Sequence, residues 1–296
     1  MQRRIAGFAA WLMMGVTACA LAGGPTETAV DENAGQVEDQ TPEKPDFDMS
    51  AFLDMPVDTN PLADEILVAW TKERDAILSG TAAPLLDWHK RVRDYQKTSE
   101  ESGDPFVREV YQRIALDQYG RYGGPFSPED AHATASRLGF EIQEDDAAAL
   151  TDRLMRQFIL IDLDNTAFLQ RELDARGGRW WTVAEVGSDT AHMIWLLTQH
   201  ADQTPEFHRY ALEQMIPLLE TGDVNRNNYA YLWDRVAVAD GRPQRFGTQG
   251  HCVGPGDWEA FEIEAPAEEV NQRRAAFDIS MTFEENDSRL DAVCGQ

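Results

Sequence analysis

Basic residues are scarce in this chain. Its 296 residues hold 26 Lys and Arg against 52 Asp and Glu, a formal net charge of −26, and no lysine follows Lys97. Nucleic acids and anionic headgroups are bound by clustered Lys and Arg, and a molecule this acidic repels them. Nucleic-acid partners are therefore excluded. Long apolar runs are also lacking: Ile5 to Ala18 is about 14 residues, short of the roughly 20 that a helix needs to span a bilayer. Cysteine is limited to Cys19, Cys252 and Cys294, with no Cys-x-x-Cys pair and no His-Glu-x-x-His, so metal-ligand spacing is missing. His192, His200 and His208 are spaced so that a helix turns about 80° between successive members, which does not gather them. A Gly-rich phosphate loop and a Gly-x-Ser-x-Gly elbow are absent as well. No metal and no cofactor is expected.

What the N-terminus does hold is a secretory pattern. Met1-Gln2-Arg3-Arg4 is a basic start and the apolar run follows it, so residues 1–18 read as a signal peptide. Val16-Thr17-Ala18-Cys19 resembles the lipobox of bacterial lipoproteins. The resemblance implies that Cys19 becomes the first mature residue and carries the lipid, with the protein in the cell envelope, facing the periplasm or the exterior. Membrane contact is then through the lipid anchor alone. The alternative is plain secretion, with cleavage after Ala20-Leu21-Ala22. Residues 19–60 are rich in Gly, Pro, Thr and acids with few apolar anchors, and read as a flexible acidic tether. Export allows disulfides to persist. Cys252 and Cys294 either stay two thiols or form a bridge that ties the C-terminal tail to the preceding segment, and the bridge is the preferred reading.

From Pro61 the pattern is helical. Ile66, Leu67, Trp70, Ile77 and Leu78 recur at helical spacing between Asn60-Pro61 and Gly80. Further helices are predicted from Pro84, from Asp104-Pro105, and from Ser127-Pro128 to Leu138, with Arg121 to Pro125 as a loop. One long helix covers about 145–176. Ser188 is the predicted N-cap of a helix running to His200, whose C-terminal position favours a charged imidazole. Helices from Pro205 and Asn225 follow. Gln244 to Cys252 and Trp258 to Ile263 read as two strands, and a last helix follows Pro266. The fold class is mainly α, a multi-helix domain with a small C-terminal β-hairpin. Residues 61–140 form an N-terminal helical region and 141–296 the remainder.

Phe158-Ile159-Leu160-Ile161-Asp162-Leu163-Asp164-Asn165-Thr166 resembles the first motif of the haloacid dehalogenase superfamily, in which an apolar strand delivers two aspartates to Mg²⁺. Helical periodicity runs through the motif, no α/β alternation follows, and no later lysine stands ready for a phosphoryl group. That reading is disfavoured. A second resemblance, over 162–277, is to a bacterial domain family of unknown function. It rests on Asp162 and Asn165, Val186 and Gly187, Trp195 to Asp202, Ala230 to Arg235, Gln244 to Gln249, and Arg273 with Arg274. Phe246 departs from the tyrosine of that pattern. The resemblance brings no reaction with it.

The candidate site follows from chemistry. His200 titrates near neutrality and is a candidate acid or base, with Asp202 or Asp234 to orient it. Arg235 suits an anionic group, while Asn165, Gln199, Gln244 and Gln249 suit amides or hydroxyls. His200, Asp234, Arg235 and Gln249 are expected to converge, with Asn165, Gln199 and Gln244 near them. Asp234 and Arg235, adjacent on one helix, serve different partners. Two functions stay open. One is an envelope module that binds a small polar ligand or an envelope protein. The other is a metal-independent hydrolase or transferase using His200 and Asp234. A functional site predicts only a modest stability change for His200→Ala.

Overall fold

The computed structural model describes residues 49–124 and 128–294. Cys19, the signal segment and most of the expected tether lie outside them. The described chain is mainly α, with one small antiparallel hairpin near the C-terminus. The helices are α1 (Met49–Asp54), α2 (Pro61–Leu78), α3 (Asp87–Glu101), α4 (Pro105–Gly123), α5 (Pro128–Arg137) and α6 (Glu144–Ala175). After them come α7 (Val183–Val186), α8 (Ser188–Gln199), α9 (Pro205–Leu219) and α10 (Arg226–Ala239). Strands β1 (Gly250–Gly254) and β2 (Asp257–Ala260) precede α11 (Ala267–Ala276) and α12 (Phe283–Cys294). No described helix is long and apolar enough to cross a membrane.

Local chemistry sets the ends of the two helices that carry the site. Asp104 accepts from the N–H groups of Phe106 and Val107 and Pro105 opens α4, so the orphan donors of its first turn are satisfied. Asp146 accepts from Gln143 N–H at the start of α6, where Glu144, Asp145 and Asp146 complement the helix dipole. Gly178 N–H returns to Leu173 C=O at 3.0 Å and closes α6.

Among the described residues two larger apolar cores result, with smaller clusters beside them. Ile66, Trp70, Val92, Tyr119, Leu150 and Leu154 build one, from α2, α3, α4 and α6. Val110, Ile114, Phe168, Leu173, Trp195, Phe207 and Leu232 build the other, from α4, α6, α8, α9 and α10. Because α4 and α6 contribute to both, residue 140 does not separate one core from the other. The hairpin pairs Gly250 with Ala260 and Cys252 with Trp258. Cys252 is bridged to Cys294, which holds α12 against the hairpin.

Several expectations need correction. The tether read to residue 60 instead turns helical at Met49, and Phe52 buries against Met155, Phe158 and Ile159. The loop read at 121–125 is helical through Gly123, so Arg121 lies on α4. Those glycines serve close packing: a Cβ at Gly123 would stand 2.5 Å from the Trp88 ring. Ser188 is the first residue of α8 rather than its cap; Gly187 takes that place at φ 81°, with no side-chain cap bond. The first strand begins at Gly250, because Asp234 takes the backbone N–H groups of Arg245, Phe246 and Thr248 away from any ladder. Gln244 instead makes an isolated parallel bridge with Ile263, outside the antiparallel hairpin. Finally, α12 is an additional helix, opened by reciprocal bonds between Thr282 and Glu285.

Candidate functional site

The C-terminal half of α4, the middle of α6 and the end of α8 meet at a buried charge cluster. On α4, Asp117 and Arg121 are one helical turn apart, at the i,i+4 spacing that puts them on one face. Arg121 Nη2 donates to Asp162 Oδ1 of α6 at 2.7 Å. Arg121 Nε lies 3.3 Å from Asp117 Oδ1 and 3.0 Å from His200 Nδ1. His200 Nδ1 is itself 3.0 and 3.1 Å from the two Asp117 oxygens. A carboxylate only accepts and Arg121 Nε only donates, so one Nδ1 cannot serve both. With the proton on Nδ1, both donors satisfy Asp117, which is the better arrangement. His200 Nε2 and Asp162 Oδ2 are then left buried without a hydrogen-bond partner.

His200 is 1 % exposed. Burial lowers its pKa, Arg121 lowers it further, and Asp117 only partly offsets them. The dipole argument for a charged His200 is therefore overridden by desolvation. Burial raises the Asp117 carboxyl, yet Arg121 and His200 outweigh that and hold it well below the ordinary carboxylate range. Asp162 goes the other way: burial pushes it well up, and Asp117 and Asp202 add to the push against Arg121.

A second shell of charge lies beside the first. Arg235 on α10 makes a two-pronged pair with Asp202, Nε to Oδ1 at 2.7 Å and Nη2 to Oδ2 at 2.6 Å. Burial raises Asp202, but Arg235 holds it below its ordinary value. Arg235 Nη1 also reaches Gln249 Oε1 at 3.4 Å. His208 on α9 donates from Nε2 to Thr198 C=O at 2.7 Å, and burial lowers it to about 4. The three carboxyls Asp117, Asp162 and Asp202 face two guanidiniums, Arg121 and Arg235. With neutral histidines the cluster is one negative charge in excess, and a proton on Asp162 closes the balance.

The structure distributes the expected site residues rather than stacking them around His200. Asp117, not Asp202 or Asp234, orients the imidazole. Asp234 is fully buried and anchors the following turn: it accepts from the N–H groups of Arg245, Phe246 and Thr248 and from the Thr248 hydroxyl, at 2.8–3.0 Å. Burial pushes its pKa up to about 6 against the pull of those donors. Asp234 and Arg235 do serve different partners. Gln244 stitches the same turn, donating to the C=O groups of Gln249 and Phe261 and accepting from Gln249 N–H. Gln199 is buried against Leu232 and Trp195; with the amide turned so that its oxygen meets these donors, it accepts from Leu232 N–H at 3.0 Å and lies 3.1 Å from the Trp195 indole nitrogen, whose N–H also donates to Asn228 C=O. Asn165 meets α4 at another position, where its Oδ1 accepts from Arg113 at 3.2 Å.

The haloacid dehalogenase arrangement does not form. Asp162 and Asp164 sit on one helix; Asp162 is buried on Arg121 while Asp164 is exposed on Arg113. Among the described residues no group of His, Cys, Asp and Glu is arranged to hold a metal. Asp117 and Arg121 are the functional candidates that the sequence reading missed. Their signal was an acid and a base one turn apart on α4, but Glu109 and Arg113 share that spacing, so it does not single them out. The chain matches no family model, no curated protein and no solved structure.

Proposed function

We propose that the chain is an exported, lipid-anchored envelope module that binds a partner and does not catalyse a reaction through His200. The observation that carries this reading is the sealing of His200: the ring is 1 % exposed and its Nδ1 is committed to Asp117. A general acid or base must reach the proton that it transfers, directly or through one water. The buried groups pair with one another in separate sets, His200 with Asp117, Arg235 with Asp202, and Asp234 with its turn. That is the pattern of a network that fixes helix positions.

A second reading has one observation in its favour. Nδ1 on a carboxylate with a partnerless Nε2 is the geometry of an oriented base, with Asp117 in the orienting role. A panel of chromogenic esters, phosphates, glycosides and peptides, assayed with wild type and His200→Asn, separates the two. The binding reading expects no turnover that depends on His200. Turnover abolished in His200→Asn, with the variant still folded, would establish the hydrolase or transferase instead.

A further inference from the structure

Away from the charge cluster, α4 and α6 leave a groove of about 350 Å³ between them, lined by Glu109, Arg113, Leu116, Leu160, Asp164 and Asn165 among others. Arg113 is pinned there. Its Nε lies 2.9 Å from Glu109, its Nη1 2.7 Å from Asp164, and its guanidinium 4.4 Å from the centre of the Phe168 ring. One cation between two carboxylates leaves the groove negative. Both acids stay open to solvent, with 41 % of the Glu109 side chain and 73 % of the Asp164 side chain exposed. Leu160 is 50 % exposed beside them. Asn165 is 2 % exposed, and its Nδ2 has no hydrogen-bond partner.

We infer that this groove is a docking site for a lysine-bearing peptide segment of a partner protein. Resting on the binding-module reading, the inference adds its place and the chemistry of its partner. A lysine ammonium is a compact cation with three donors, suited to the free carboxylate oxygens of Glu109 and Asp164. The methylenes of its stem can cover Leu116 and Leu160 while the charged end stays wet. A peptide carbonyl supplies the acceptor that Asn165 Nδ2 lacks. The net charge of −26 steers a basic segment toward the molecule and turns an acidic one away.

The test is fluorescence anisotropy of the intact mature protein with a dye-labelled, capped decapeptide of alternating lysine and alanine, against its glutamate counterpart. The lysine peptide should bind and the glutamate peptide should not. E109Q/D164N should weaken binding by about ten-fold or more, a loss of roughly 1.4 kcal/mol. L160N, which leaves the ion pairs of Arg113 in place, should weaken it several-fold. The control E259Q/E268Q removes two exposed acids elsewhere and should change affinity by less than about two-fold. The proposal is overturned if the lysine peptide fails to bind, if the control weakens binding as much as the groove variants, or if L160N binds like wild type. His200-dependent turnover in the substrate panel would contradict the function reading and leave these peptide results standing as they are.

Discussion

Asp117, Arg121, Asp162 and His200 show how little a residue's type says about its work until its burial is known. Arg121 neutralises Asp117 and donates to Asp162 in a dry interior, so Arg121→Met should leave the Asp117 charge uncompensated and cost roughly 3–5 kcal/mol. In a protein of this size that is a fall in Tm of about 10 °C or more, read by thermal unfolding. Asp162→Asn should behave differently. The Asp162 carboxyl is already pushed toward its neutral form, and the variant should lie within about 1 kcal/mol of wild type. A large loss in D162N would show that the carboxylate charge is needed. His208 supplies a pH dependence. Its folded pKa of about 4 lies below the ordinary 6.5, so the unfolded chain takes up the proton first as pH falls. The stability it contributes is present above about 6.5 and is lost on acidification toward 4. His208→Gln can keep the bond to Thr198 and lacks this titration. Relative to wild type it should gain about 2 kcal/mol between pH 7 and pH 4.5, measured by urea unfolding.

Helical periodicity made most elements legible, because apolar residues at three- and four-residue steps can bury only on a helix. Asn60-Pro61, Asp104-Pro105 and Thr204-Pro205 marked true starts. What misled was glycine and the amide-rich turn. Gly123 and Gly124 suggested a loop, yet the lack of a side chain there and at Gly120 lets Trp88 and Phe158 approach α4. Gly123→Ala should therefore destabilise by about 1–3 kcal/mol, although alanine is the better helix former. A Tm equal to or above wild type would show that Trp88 can move aside. The alternation after Gln244 suggested a strand, but Asp234 offers the same N–H groups a nearer acceptor. A long-range side-chain acceptor of this kind leaves no local signature. Gly187 and Ser188 form another ambiguous pair, since the cap and the first helical residue differ by one position.

At the scale of the whole molecule, the mainly α class and the C-terminal hairpin could be read from pattern alone. The meeting of α4, α6 and α8 could not, because Asp117 and His200 are 83 residues apart. His200, read at the C-terminal end of an isolated helix, lies inside once α4 covers it. Export and anchoring rest on the N-terminal residues, and they carry their own test. Cys19→Ser should move the protein from the membrane to the soluble fraction on cell fractionation. A wild-type protein that is already soluble and begins at Gly23 would contradict lipidation.

The sealed histidine is the feature on which the non-catalytic reading depends, and burial replaces the expected modest effect of its removal with a large one. Thermal unfolding of His200→Ala measures this directly. Loss of a fully buried ring bound to Asp117 should cost about 2–4 kcal/mol and lower Tm by roughly 5–15 °C. A folded His200→Ala protein with the Tm of wild type would contradict the structural role and point back to a site held ready for chemistry.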